Sequence, residues 1–289
     1  MRNVFAKTAT LLALTFGAQI ALADDTRPDR IIAIGGSVTE IVYALGQEDR
    51  LVGRDRTSNY PTEARELPDI GYMRALAPEG VLSVSPDMIL SVEGSGPPET
   101  ISVLQNAGVE FVEIPDDFSR DGILAKIRAV GAALDEDEAA EILAQQVGAE
   151  IDAAHNAAKA VTGNTPARVL FILSAQDGRV MVGGADTQAD SIIRLAGGVN
   201  AAGDVAGFKP ITPEALTAAA PDVILMMTRT GDHVSSDEEI FALPSIALTP
   251  AGRDKRLVRM KGNYLLGFGP RTASAITDLS RELQQVGGL

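Results

Sequence analysis

Few residues in this chain of 289 could carry out chemistry. There is no cysteine, which excludes thiolate nucleophiles, disulfides and thiolate metal sites. The two histidines, His155 and His233, belong to no recognisable catalytic motif: there is no Gly-x-Ser-x-Gly elbow, no His-Glu-x-x-His and no phosphate loop ending in Gly-Lys-Ser/Thr. Gly35-Gly36-Ser37 resembles an anion cradle only weakly and reads first as a tight strand-to-helix turn with Ser37 as its cap. More informative are Tyr72 and Arg74, in a segment rich in Gly and Pro, and Glu79 and Glu214, each directly behind a proline. A tyrosine in such a segment is expected on a loop at the ends of strands. Composition alone favours the plainer account, a packed ring with its hydroxyl bonded. The two glutamates fall in the first turn of short helices, where the helix dipole favours a carboxylate, so capping alone would explain them.

The elements that must position these residues come in two related sets. Pro78-Glu79, Pro86-Asp87 and Ile89-Leu90 match Pro213-Glu214, Pro221-Asp222 and Ile224-Leu225, each pair 135 positions apart, with Val81 opposite Leu216 and Val84 opposite Ala219. The first half alternates strand and helix. Strands are expected at Ile31 to Ile34, from Leu51, at Met88 to Val92 and at Val109 to Ile114, with helices at Thr39 to Leu45, Glu99 to Asn106 and Ile123 to Leu134. The second half resumes with strands Val169 to Leu173, Met181-Val182, Val223 to Met227 and Leu257 to Met260, and helices Gln188 to Leu195 and Thr272 to Val286. Such alternation means mostly parallel sheets covered on both faces. Between the halves, Ile142, Leu143, Val147, Ile151, Ala154, Ala158 and Val161 recur at helical spacing, which predicts one long strut from Asp135 to Gly163, capped by Asp135 and open to a break at Gly148. The expected fold is α/β: two Rossmann-like lobes, 24–134 and 164–289, joined by a single long helix over 135–163, with a cleft beyond the carboxyl ends of the strands.

Composition narrows the partners. A formal charge of −14 and 4% aromatic residues argue against nucleic acid, whose binding draws on clustered Lys and Arg and on stacking rings. Residues 1–23 read as an export signal: Arg2 and Lys7, an apolar run from Ala9 to Leu22, and small residues ending at Ala23, too short a run for a spanning helix. Cleavage after Ala23 would leave 23 basic residues against 39 acidic ones, a charge of −16, and a soluble periplasmic protein, expected to be a monomer.

The segments GGSVTEIVYALG, SNYP, LPDIGYMRALAPEGVLSVSPD, MVGG, FKPITPEAL, APDVIL, TPAGR and LLGFGPRT, spread from about Arg30 to nearly the C-terminus, resemble periplasmic haem-binding proteins of bacterial haem ABC importers. These belong to a larger group of helix-joined (class III) binding proteins that includes vitamin B12 and iron-siderophore carriers. The Gly-Tyr-x-Arg/Lys element before the Pro-Glu helix marks the haem branch. The resemblance implies that Tyr72 is the axial ligand of ferric haem, that Arg74 stabilises the phenolate or pairs with a propionate, and that Arg229, after an apolar strand, binds a propionate. It also implies that Glu79 and Glu214 dock onto arginines of an inner-membrane permease, which works with its ATPase and with an outer-membrane haem receptor system upstream.

The chemistry is coherent, since a hard phenolate oxygen suits ferric iron. Ionising a phenol of ordinary pKa about 10 at neutral pH takes more than roughly 4 kcal/mol, within reach of a directly bound cation. Met73 and Met227 are candidates to line the cleft, though Met in an apolar run is more often core. Where some of these proteins carry a histidine that ligates a second haem, this chain has Ala175-Gln176. One haem b per chain is therefore expected, with His233 a remote sixth ligand. The competing readings are a carrier of vitamin B12 or ferric siderophore, a haem sensor or store, and an exported hydrolase built on Ser37, His155 or His233.

Overall fold

The computed structural model of the protein describes residues 28–163, 165–176, 178–228 and 235–287; the expected signal segment, Arg229 and His233 lie outside them. The first lobe runs β1 (Ile31–Ile34), α1 (Gly36–Ala44), β2 (Leu51–Arg54), β3 (Gly71–Tyr72), β4 (Ala75–Leu76), α2 (Pro78–Leu82), β5 (Met88–Val92), α3 (Pro98–Gln105), β6 (Glu110–Ile114) and α4 (Arg120–Ala133). Its sheet has the order β2-β1-β5-β6 and every pairing is parallel, so both faces must be covered. The sequence of β1, IIAI, answers that demand with four buried residues.

The linking helix α5 (Asp137–Thr162) is continuous over 26 residues, about 39 Å at 1.5 Å per residue. It starts later than expected: Asp135 is not its cap but takes a left-handed conformation (φ 59°) in the tight turn from α4, and Glu136 occupies the cap position with its carboxylate turned to Gln47, 2.8 Å away, rather than to the helix's first N–H groups. Gly148 does not break it. A Cβ there would come within 3.0 Å of the Arg120 guanidinium and 3.3 Å of Leu124, so the glycine lets α4 approach closely.

The second lobe runs β7 (Arg168–Gln176), β8 (Arg179–Gly183), α6 (Gln188–Leu195), β9 (Val199–Asn200), β10 (Phe208–Ile211), α7 (Pro213–Ala219), β11 (Val223–Thr228), α8 (Asp237–Ala242), α9 (Pro244–Ala247), α10 (Pro250–Arg253), β12 (Leu257–Lys261), α11 (Gly262–Leu266) and α12 (Thr272–Gly287). Its sheet is ordered β10-β8-β7-β11-β12, with β9 on β7. β7, β9, β11 and β12 pair in parallel, whereas β8 and β10 add an antiparallel flank that strand-helix alternation did not predict. β10 reads FKPI; its Pro210 cannot donate to a ladder, which restricts it to the edge where it is found.

Alternation along the central strands divides the core. Ile31 and Ala33 of β1, Met88 and Leu90 of β5, Val169 and Phe171 of β7, and Val223 and Leu225 of β11 all belong to one cluster shared by both lobes. Their neighbours on the opposite faces split into two separate clusters, one around Ile32, Ile34 and Ile89, the other around Leu170, Ile172 and Ile224. The shared cluster continues through α5, which packs on α4 from the first lobe and α12 from the second. Each lobe thus has one private core face and one joined to its neighbour.

Candidate functional site

Tyr72 stands on a two-stranded hairpin, β3 against β4, with Met73 and Arg74 as its turn. Gly71 opens it at φ 113°, a conformation that side chains with a Cβ rarely adopt. The hairpin is tied down on two sides. The Arg56 N–H donates to Gly71 O at 2.8 Å, just past the end of β2; the Gly96 N–H donates to Met73 O at 2.9 Å and the Leu76 N–H to Gly96 O at 2.9 Å, just past β5. It therefore lies at the carboxyl ends of the strands. Met73 is half-buried and packs against the core, and its neighbours Tyr72 and Arg74 are exposed. With Tyr72 42% exposed, the packed-ring account does not hold.

At the Gly35-Gly36-Ser37 turn the N–H groups of both glycines are taken up inside the protein, which leaves them no external anion to cradle. Gly35 N–H donates to Asp55 Oδ1 at 3.0 Å and Gly36 N–H to Thr57 Oγ1 at 3.1 Å. Ser37 is not the cap of α1; Gly35 is, and the buried Ser37 hydroxyl lies 3.5 Å from Lys126 Nζ. His155, on α5, lies with Nδ1 at 2.9 Å from Leu195 O and so ties the strut to α6. On the second lobe, β11 ends at Thr228, one residue before Arg229. Met227 is half-buried against the shared core, its Sδ 2.9 Å from where a Cβ on Gly262 would stand.

Glu79 and Glu214 are both exposed in the first turns of α2 and α7. The repeat reaches further than the sequence showed. Val81 and Leu216 are the buried anchors of the two helices, and Ser85 (φ 49°) and Ala220 (φ 43°), also 135 positions apart, both turn left-handed before the next strand. In each lobe an arginine at the start of the first strand holds the far end of the helix. Arg30 donates to Ser85 O at 2.8 Å and to Val84 O, and Arg168 donates to Ala219 O at 2.8 and 3.1 Å. The signal for these arginines, one before each opening strand, was present but means nothing until the helix is folded beside it.

The lobes meet through residues that sequence reasoning missed. Arg271 forms a two-bond fork with Glu40 on α1, one bond at 2.8 Å, and its guanidinium lies 3.7 Å from the ring centre of Tyr60 and 5.1 Å from that of Tyr264. Asn263 adds a bond to Glu40 at 3.3 Å. Burial pushes the Glu40 carboxyl above its ordinary value, with Arg271 and Lys126 offsetting part of the rise. Burial and a bond to Asp278 push the Tyr264 phenol up to about 12. Nearby, the fully buried Lys126 pairs with Asp116 and donates to Phe268 O, across the lobe boundary, at 3.0 Å.

Among the described residues no group of three or more His, Asp or Glu could hold a metal ion, and no helix is long and apolar enough to cross a membrane. Two α/β lobes on one unbroken helix, with side chains offered at the strand ends of the first, make a two-lobed solute-binding protein. The chain belongs to the Periplasmic binding protein family, which it matches over residues 31–264. It is a periplasmic substrate-binding protein of an ABC importer, a transport protein rather than an enzyme, of the kind that works with a membrane permease and its ATPase.

The chain is similar to the periplasmic heme-binding protein BhuT, whose structure was solved in complex with two hemes: 40% identity, a TM-score of 0.83, and 89% of this chain against 98% of that one. An uncharacterized ABC transporter substrate-binding lipoprotein of Bacillus subtilis, YvrC, is 28% identical over 89% of this chain and 80% of its own length. The vitamin B12-binding protein of Vibrio parahaemolyticus is 23% identical over 89% of this chain and 90% of its own.

Proposed function

We propose that this protein captures ferric haem between its lobes through Tyr72 and delivers it to an inner-membrane permease. The observation that carries the reading is the exposed Tyr72 phenol, held on a pinned hairpin at the carboxyl ends of the first sheet, in a chain 40% identical to a heme-binding protein. Ligands of open α/β sheets sit beyond those ends, and a phenolate oxygen suits ferric iron. Arg74, exposed two residues on, supports the phenolate or pairs with a propionate, and Arg229 takes a propionate from the second lobe. Both meet the need for local cations in a protein of charge −14.

Glu79 and Glu214 are the docking carboxylates. Their matched exposure on pseudo-symmetric helices suits a permease of two similar subunits, and charge pairing at such a contact favours fast, specific encounter. One haem per chain is proposed because Ala175-Gln176 offers no ligand for a second, although BhuT holds two. Export with cleavage after Ala23, action as a monomer and supply from an outer-membrane haem receptor complete the reading. The similarity to a vitamin B12-binding protein supports a second reading, a cobalamin carrier.

Titration of the wild type and Tyr72→Phe with ferric haem, followed by visible absorption, separates the two. A tyrosinate-type spectrum saturating at one equivalent and lost in Tyr72→Phe is the expected result. Saturation at two equivalents would overturn the stoichiometry, and a flat titration with haem but not with cobalamin would replace the cargo.

A further inference from the structure

Between β2 and the Tyr72 hairpin lies a carboxylate that the haem reading does not use. Asp55 is fully buried and accepts four hydrogen bonds: from Gly35 N–H at 3.0 Å, Thr57 N–H at 2.9 Å, the Thr57 hydroxyl at 3.0 Å and the Ser58 hydroxyl at 2.7 Å. An ionised carboxylate accepts and never donates, so four converging donors are the environment it requires when removed from water. The Ser58 hydroxyl accepts in turn from Thr39 on α1 at 2.7 Å, so Asp55 fastens the loop after β2 to the start of α1 at both ends.

That loop is also one of the two supports of the ligand hairpin, the other being Gly96 past β5. Arg56, next to Asp55, donates its N–H to Gly71 O, the residue before Tyr72. The Thr57 hydroxyl lies 3.7 Å from Met73 Sδ, the residue after it. The two residues that follow Asp55 thus hold the two residues that flank the phenol, while nothing in the hairpin's own two-residue strands could fix it alone. Further along the same loop, Tyr60 stacks on Arg271 of the second lobe, which gives the bracket a footing on both sides of the boundary.

We infer that Asp55 is a positioning residue for the Tyr72 ligand: its buried carboxylate locks the Arg56–Thr57 bracket that sets where the phenol points. The inference rests on the reading of Tyr72 as the haem ligand. A ligand held on a short exposed hairpin owes its aim to the groups behind it, and loss of such supports typically costs about 10- to 100-fold in metal affinity.

The test is Asp55→Asn in the full chain, with Tyr72→Phe beside it. The amide keeps the shape but turns an NH2 group toward one of the donors that the carboxylate accepted, so the bracket loosens without a cavity. Two measurements are made: amide exchange over residues 69–76 in the haem-free protein, and titration with ferric haem followed by visible absorption. The expected result is faster exchange in that segment with β5 and β7 still protected, and haem affinity lower by about 10- to 100-fold with a weakened tyrosinate band. Unchanged exchange, or faster exchange with wild-type affinity, would overturn the role of Asp55. Should Tyr72→Phe keep the wild-type spectrum, the ligand reading falls and this inference with it, even if Asp55→Asn still loosens the hairpin. If Asp55→Asn does not fold, Thr57→Val, which removes the hydroxyl between Asp55 and Met73, carries the same expectations and the same refutations.

Discussion

At the scale of single residues, what matters is how burial treats a carboxylate or a phenol. Glu40 faces Arg271, yet burial holds its carboxyl above the ordinary value of 4.5 because lost hydration outweighs the attraction. A folded value above the unfolded one means that the native state keeps a proton which the unfolded chain has released. Stability therefore falls as pH rises from 4.5 through the raised value. Glu40→Gln lacks this titration, so between about pH 4 and 7 the urea midpoint of the wild type should fall relative to that of the variant. Parallel curves would show that the Arg271 fork offsets the burial in full. Tyr72 presents the converse case, an exposed phenol, proposed above as the ligand of ferric iron. Its place on a loop at strand ends was legible from the Gly- and Pro-rich surroundings, but its exposure was not, because a two-residue strand leaves no periodicity to read.

Elements carry the next set of expectations. Helices α2 and α7 have 5 and 7 residues, too short to persist alone, and each is held by a buried anchor and by the arginine beyond its end. Arg30→Ala and Arg168→Ala should each lower stability by about 1 kcal/mol in urea denaturation, the worth of a solvent-screened charged hydrogen bond. If Glu79 and Glu214 dock as proposed, haem uptake by cells carrying both arginine changes should fall while haem affinity in solution holds. The turn from α4 to α5 is as demanding: a Cβ on Gly131 would collide with that of Ala140. Gly131→Ala should cost about 1–3 kcal/mol in the same measurement. Most elements could be read because their cores impose a period. The bounds expected for β1, β5 and α6 coincide with those found. β4 and β10 were missed because one has two residues and the other contains a proline, and the antiparallel flank of the second sheet went unseen because alternation records strands without their direction.

On the scale of the molecule, polar contacts keep the lobes together besides the strut, among them the Glu40–Arg271 fork with Tyr60 stacked on it and Lys126 bridging Asp116 and Phe268. Lys126→Met leaves Asp116 without its partner and should destabilise the chain by about 3 kcal/mol, read from its unfolding midpoint. A shared apolar core beneath these contacts argues for small hinge motion. Handover would then depend on the permease engaging both lobes at once. Glu79→Lys with Glu214→Lys should abolish uptake and leave haem affinity unchanged; lost haem binding would count against docking as their role.

The sequence by itself determined the alternation of strand and helix, the doubling of the lobe and the long connector, because each follows from local spacing of apolar residues and turn formers. Only the tertiary structure decided which groups meet across the boundary. Glu40 and Arg271 are 231 positions apart, and Lys126 and Phe268 are 142 apart. No local period encodes such pairs. They exist because α5 brings two separately formed sheets to a common face, where charges that would otherwise be solvated must find one another.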